Sequence, residues 1–189
     1  MGRLNDLSLA TQVAVFGNKR AFDQLVREYQ SPVRRFFLSQ TAGNEALSDD
    51  LAQDTFLKAY THIGQYRGTS AFLTWLTRIA YNVWYDHCRS RQLKVNGPPL
   101  ATAVSKAEEQ AGAGTSSSTQ RSSLQIDLLA ALKVLRDEER SCITLQLVDG
   151  YAIDEIAAIT GLPANTVKSH LRRGKEKLAN YLRQNGYDR

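Results

Sequence analysis

Residues 153–182, IDEIAAITGLPANTVKSHLRRGKEKLANYL, limit the possible folds more than any other stretch. Ile153, Ile156, Ala157 and Thr160 put an apolar stripe on one short helix. Gly161 supplies the backbone freedom to stop that helix, and Pro163 disfavours its continuation. Asn165 offers a side-chain oxygen to cap a second helix. There Val167, Leu171, Leu178 and Leu182 recur at helical spacing, leaving Lys168, Arg172, Arg173, Lys175 and Lys177 for water or phosphate. A short helix, a Gly turn and a basic amphipathic helix are the parts of a helix-turn-helix, whose second helix enters the major groove.

An ordinary helical hairpin with a solvated basic face would show the same periodicity. Charge segregation argues against it. Residues 165–189 carry seven Lys/Arg against two Asp/Glu, whereas residues 126–160 carry three against seven. Net charge is +5, so the whole surplus fits on the last twenty-five residues, the footprint of a phosphate-binding surface. No apolar run approaches a membrane span, and residues 1–12, MGRLNDLSLATQ, lack a signal-peptide core; a cytoplasmic protein is expected. Cys88 and Cys142 have no metal spacing and read as reduced thiols, and His62, His87 and His170 are isolated. Neither metal nor cofactor is expected, and no nucleophile motif or phosphate-binding Gly loop suggests an enzyme.

The rest of the chain is helical by pattern. Residues 1–17 read as a polar helix. Phe22, Leu25, Val26 and Tyr29 mark an amphipathic one. Pro32 fits the start of a following helix, or a kink. Gly43 and Asn44 break the pattern before NEALSDDLAQDTFLKAYTHI, where Leu47, Leu51, Thr55 or Phe56, and Ala59 face inward. Residues 65–70 form a loop. The helix after it places Phe72, Trp75, Leu76, Ile79, Ala80 and Val83 on one stripe. All six Phe and both Trp precede residue 85, so the larger core belongs to this half. Residues 92–123 contain no aromatic but three Gly, two Pro and six Ser, a flexible linker by composition. Leu124, Leu128, Leu132 and Leu135 then restart helical periodicity, and a further helix ends at Gly150. The expectation is an all-α chain of two small helical domains, 1–91 and 124–189, joined by a flexible linker at 92–123, with the helix-turn-helix in the second.

Two distant sets of segments point to one family. AFDQLVREY, DDLAQDTFLKAY, YRGTSAFLTWLTRIAYN and DHCRSR in the first half, with LRDEERSCITLQLVDGYAIDEIAAITGLPANTVKSHLRRGKEKL in the second, resemble the extracytoplasmic-function (ECF) sigma factors. These are bacterial RNA polymerase initiation factors of the sigma-70 family, group 4. The resemblance covers roughly residues 18–91 and 124–183. It implies core RNA polymerase and promoter DNA as partners, the DNA met both as duplex and as melted non-template strand. It also implies an anti-sigma factor.

Residue by residue, the resemblance implies a polymerase contact at Asp50, Gln53 and Asp54, on an acidic and amide-rich helix face. Tyr66, Arg67, Gly68, Thr69 and Ser70 match the loop that takes unpaired minus-ten bases. Arg78, Asn82, Asp86 and Arg89 follow on the next helix. Melted bases need a pocket, amide or carboxylate groups for base edges, and cations for phosphates. Trp75 reads as core, and Trp84 and Tyr85 as core or stacking surface. Thr166, Lys168, Ser169, His170, Arg172, Arg173 and Lys175 match the minus-thirty-five reader, where Arg addresses guanine bidentately. Lys177 and Arg183 read as phosphate contacts or solvated charge.

Three residues depart from the family pattern. Ala152 stands where Ser or Thr usually caps the first motif helix, His170 replaces a residue that is often Arg, and Gly174 one that is often Ala. Gly174 predicts a bent or frayed recognition helix. Two other readings compete. ANTVKSHLRR also resembles the recognition helix of LuxR-type regulators, which bind DNA without polymerase. Asp49, Asp50 and Asp54 would alternatively serve as an acidic cation site in a helical enzyme or adaptor.

Overall fold

The computed structural model describes residues 3–96 and 123–187. All regular structure within them is helical: α1 (Arg3–Phe16), α2 (Lys19–Gln40), α3 (Glu45–His62), a 3-10 turn (Ile63–Gln65), α4 (Phe72–Asn96), α5 (Ser123–Leu132), α6 (Asp137–Ile143), a π turn (Thr144–Val148), α7 (Ile153–Thr160) and α8 (Ala164–Gln184). No described helix is long and apolar enough to cross a membrane.

Local chemistry sets most boundaries. The Asn18 side chain accepts from the Arg20 and Ala21 amides to cap α2, and the Asn44 side chain accepts from the Leu47 amide to cap α3. Pro32 does not start a new helix, because α2 continues through it without a break. A Pro in a helix interior costs about 3 kcal/mol. Phe36 and Phe37, at 3% and 0% exposure, lie on the following turn. Each contributes about 1.5–3 kcal/mol of burial, enough to hold the second half of α2 in register. On α3 the ambiguity resolves to Thr55, which is fully buried and donates its hydroxyl to the Leu51 carbonyl.

The linker expected at 92–123 is shorter at its start, since residues 92–96 continue α4; residues 97–122 lie outside the described residues. In α5, Leu132 is buried with Leu135 just beyond it, but Leu128 is 53% exposed and leaves the predicted stripe. Asn165 is not the cap of α8. That position falls to Pro163, whose fixed φ of −58° suits it, and Asn165 lies one residue inside the helix.

The two helical parts meet. α4 packs on α7 and α2 on α6, and buried side chains from Leu9 to Leu171 form a continuous cluster. Polar contacts at this junction converge on Gln40, which is fully buried. Its side-chain Oε1 accepts from Ser141 Oγ at 2.9 Å, and its carbonyl accepts from Arg140 Nη1 at 2.8 Å. The Thr77 and Tyr151 hydroxyls lie 3.2 Å apart, and Arg35 approaches Asp149 at 3.7 Å. Burial pushes the Cys88 thiol up to about 12 and Cys142 to about 11, so both free thiols stay protonated.

Candidate nucleic-acid interface

The second part is built so that α8 presents its cations outward. α7 begins at Ala152, which has no side-chain oxygen to offer; the Glu155 carboxylate instead accepts from the Ala152 amide at 2.9 Å, half of a capping box. Gly161 ends α7 in the left-handed region, at φ 73°. Val167, Leu171 and Gly174 are the buried side of α8. α8 continues through Gly174 without fraying. A Cβ there would lie 2.8 Å from Ile143 Cγ1, so glycine lets α8 approach α6 closely.

Lys168, Ser169, Arg172, Arg173 and Lys175 are exposed on the other side, and Thr166 and His170 are half-buried. Their holds are loose. Arg172 pairs with Glu176 at 3.1 Å, both well solvated, and Arg173 Nε donates to the Ser169 carbonyl at 3.3 Å. Such exposed pairs are worth about 0–1 kcal/mol and yield readily to phosphate or base edges. Ser169 Oγ donates to its own helix at the Asn165 carbonyl.

Lys177 corrects the sequence reading. Its ammonium lies 2.6 Å from Glu139 Oε2, whose side chain is only 3% exposed. Burial alone would raise the Glu139 carboxyl; hydrogen bonds from Lys177 and the Arg136 amide outweigh it and leave the pKa lowered. Lys177 therefore belongs to the packing of α8 on α6, not to the solvated basic face.

In the first part, Asp50, Gln53 and Asp54 are all exposed or half-exposed on α3. Asp49, beside them in the chain, is engaged by Arg34 of α2, with Nε to Oδ1 at 2.5 Å. An acidic cation site sharing Asp49 with Asp50 and Asp54 would have to break this pair. Beside that face runs a groove of about 820 Å³ between α2 and α3, floored by Phe22, Val26, Ala52, Phe56, Leu57 and Tyr60. Leu57 is 66% exposed there. Sequence reasoning passed over this groove. Its one visible signal was a leucine off the stripe of Leu51, Thr55 and Ala59.

The loop at 66–70 divides by burial. Tyr66 is 7% exposed, its ring edge-on to Phe72 at 5.2 Å, and its hydroxyl donates to the Ser70 carbonyl at 3.0 Å. This corrects its place among the DNA-facing residues: Tyr66 is part of the aromatic support under the loop. Arg67 and Thr69 are exposed, Ser70 is half-buried, and Gly68 turns the backbone at φ 69°. Along α4, Arg78, Asn82, Asp86 and Arg89 are exposed on successive turns. Asp86 accepts from Lys58 of α3 at 3.3 Å, a neighbour that helical spacing within α4 gave no means of finding. Trp75 joins Tyr66 and Phe72, Trp84 is buried against His87, and of the two aromatics left open only Tyr85 is exposed, at 51%.

Residues 25–94 match the family described as Sigma-70 region 2, and residues 125–178 the family described as Sigma-70, region 4. The chain is 29% identical over 188 residues to the ECF RNA polymerase sigma-E factor of Haemophilus influenzae, covering 95% of this chain and 96% of that protein. It is 31% identical over 170 residues to the RNA polymerase sigma-H factor of Pseudomonas aeruginosa, covering 86% of each. Among solved structures it is similar to the sigma factor RpoE from Bartonella quintana in complex with the anti-sigma factor NepR, with a TM-score of 0.67, 26% identity, and 89% and 98% of the two chains covered. It is also similar to CnrH in complex with the cytosolic domain of CnrY, with a TM-score of 0.65, 26% identity, and 95% and 98% covered. With both sigma regions in order on one helical chain, this protein belongs to the ECF sigma factors of the sigma-70 family.

Proposed function

We propose a division of labour along this sigma factor. Residues 1–91 bind core RNA polymerase and take the minus-ten element, and residues 124–189 grip the minus-thirty-five element as duplex. Asp50, Gln53 and Asp54 meet the polymerase. Arg67, Gly68, Thr69 and Ser70 form the base-capturing loop, and Arg78, Asn82, Asp86 and Arg89 extend that surface along α4. Tyr66 supports the loop from beneath. Thr166, Lys168, Ser169, His170, Arg172, Arg173 and Lys175 form the duplex reader, with Lys168, Ser169, Arg172 and Arg173 at its centre.

The observation that carries this reading is the outward display of chemistry suited to each role. An acid and amide face lies on α3, polar and cationic groups on the loop and α4, and cations in loose surface contacts on α8. A surface that binds only unpaired bases favours the melted promoter, because a ligand shifts an equilibrium by its differential affinity for the two states. No covalent step is required of this chain.

An anti-sigma factor is part of the same proposal, supported by the complex in which the relative from Bartonella quintana was solved. The apolar groove between α2 and α3 beside Asp50, Gln53 and Asp54 is its proposed seat, so that it would compete with polymerase. The site of action is the cytoplasm. The test is transcription in vitro by core polymerase, with and without the protein, on a promoter library. Protein-dependent starts sharing two spaced upstream elements are expected. Absence of such starts, with the protein binding duplex alone, would overturn the reading in favour of a free-standing regulator of LuxR type.

A further inference from the structure

We infer that α1 is a positioning brace for the base-capturing loop, with Leu7 and Asp6 as its working side chains. The inference rests on the proposed role of residues 66–70. α1 packs on α2, the 3-10 turn and α4, which lie wholly or largely in the segment that matches region 2, but α1 itself, at Arg3–Phe16, lies ahead of that segment.

Two contacts carry the inference. The first is on the loop backbone. Gly68 sits at φ 69°, and a Cβ placed there would lie 3.1 Å from Leu7 Cδ2 and 3.2 Å from Cδ1. Leu7 therefore presses on the turn of the loop itself, through the gap that glycine leaves. The second contact runs through the aromatic support. Asp6 is 3% exposed, and its Oδ2 accepts from the Tyr29 hydroxyl at 2.8 Å. The Tyr29 ring lies 5.2 Å from Phe72, which in turn meets Tyr66. Tyr66 closes the circuit by donating to the Ser70 carbonyl. The start, the turn and the end of the loop are thus each held, and Arg67 and Thr69 are left facing solvent.

A buried carboxyl group with one bonded oxygen and one bare one is a poor stability device, because it loses its hydration for a single hydrogen bond. Asp6 Oδ1 has no hydrogen-bond partner among the described residues. Burial and the Asp6 contact both raise the Tyr29 phenol, so it remains a donor at neutral pH. Such an arrangement makes sense as a positioning device that holds Tyr29, and through it the floor of the loop, in one place. A loop already ordered binds an unpaired base without a further ordering cost.

The test uses full-length protein with core polymerase on a promoter selected by the wild type, with 2-aminopurine in the non-template strand of its minus-ten element. Leu7→Ala, Leu7→Met, Arg67→Ala and Thr69→Ala are compared for polymerase affinity and for the fluorescence rise on melting. Leu7→Ala is expected to lower open-complex formation about tenfold, the size of one lost ordering contribution. Polymerase affinity should stay within about twofold, and Leu7→Met should restore opening. Normal opening by Leu7→Ala, with defective opening by Arg67→Ala or Thr69→Ala, would overturn the brace alone. Normal opening by all of them would overturn the base-capture reading and the brace with it. A parallel fall in polymerase affinity for Leu7→Ala would overturn the brace too, showing that α1 only supports the fold.

Discussion

Gly174→Ala should change sign with the residue opposite it. In a free helix Ala is better than Gly by about 1 kcal/mol. Here the new methyl would lie 2.8 Å from Ile143 Cγ1 and 3.2 Å from Cδ1. Ile143 is 2% exposed, so it cannot swing aside into water. Overpacking of this kind costs about 1–3 kcal/mol, which leaves a net loss of about 0–2 kcal/mol. Ile143→Ala removes both obstructing atoms. That background loses about 2–5 kcal/mol by itself, but within it Gly174→Ala should stabilise by up to about 1 kcal/mol. The assay is urea unfolding of the four proteins of the cycle by circular dichroism, compared at equal m. Duplex binding reports the same strain, because α8 can relieve it only by moving off α6, carrying Arg172 and Arg173 with it. Equal stabilisation by Gly174→Ala in both backgrounds would show that the contact relaxes freely and that close packing is not why glycine stands there.

Lys177→Met should destabilise by about 2–4 kcal/mol at neutral pH, since it strips the partner from a buried carboxylate. The sign with pH follows. Wild-type Glu139 has a lowered folded pKa, so its stabilisation is present above the unfolded value near 4.3 and is lost as pH falls through the folded one. In the variant burial would dominate and raise the carboxyl, so the deficit against wild type should shrink as pH falls from the variant's raised pKa through the wild type's lowered one, read in thermal melts. Arg173→Ala should weaken minus-thirty-five binding by about 1–3 kcal/mol and relax preference at one base pair; equal weakening on all sequences would make it a phosphate contact only. Gln40→Ala removes one of the two acceptors of Ser141 Oγ, the other being the Asp137 carbonyl, and should loosen the junction by no more than about 0.5–1.5 kcal/mol, read as a larger radius of gyration at unchanged helix content.

What was legible in the sequence was local. Gly161, Pro163 and the stripe through Val167 and Leu171 announce the motif within thirty residues, and α3, α4 and α7 follow from periodicity alone. Misreadings arose where a distant partner decides. Gly174 looks like a weakness until Ile143, thirty-one positions earlier, is beside it. Lys177 looks like a solvated cation until Glu139 is found under it. Tyr66 looks like a loop aromatic free to meet DNA until Phe72 and Trp75 close over it. Helical spacing places a residue on a face but does not say which face another helix will cover. Pro32 starts no helix for a related reason: its local preference was outweighed by the burial of Phe36 and Phe37.

The junction between the two parts shows what such distant contacts achieve. Gln40 meets Ser141 and Arg140 across a hundred residues of chain. Its bonds contribute little net energy, about 0.5–1.5 kcal/mol each, and its Nε2 is buried without an acceptor among the described residues, which costs about 1–3 kcal/mol. Taken together the polar terms nearly cancel, so the packing of α4 on α7 must supply most of the attraction. What the hydrogen bonds add is register. An apolar contact tolerates sliding, whereas moving Gln40 by one helical turn would leave Ser141 Oγ with only the Asp137 carbonyl and Arg140 Nη1 with only the Asp137 carboxylate. A contact of that kind fixes one arrangement of the two parts without binding them tightly. That suits the proposed division of labour, in which each half meets a different stretch of promoter.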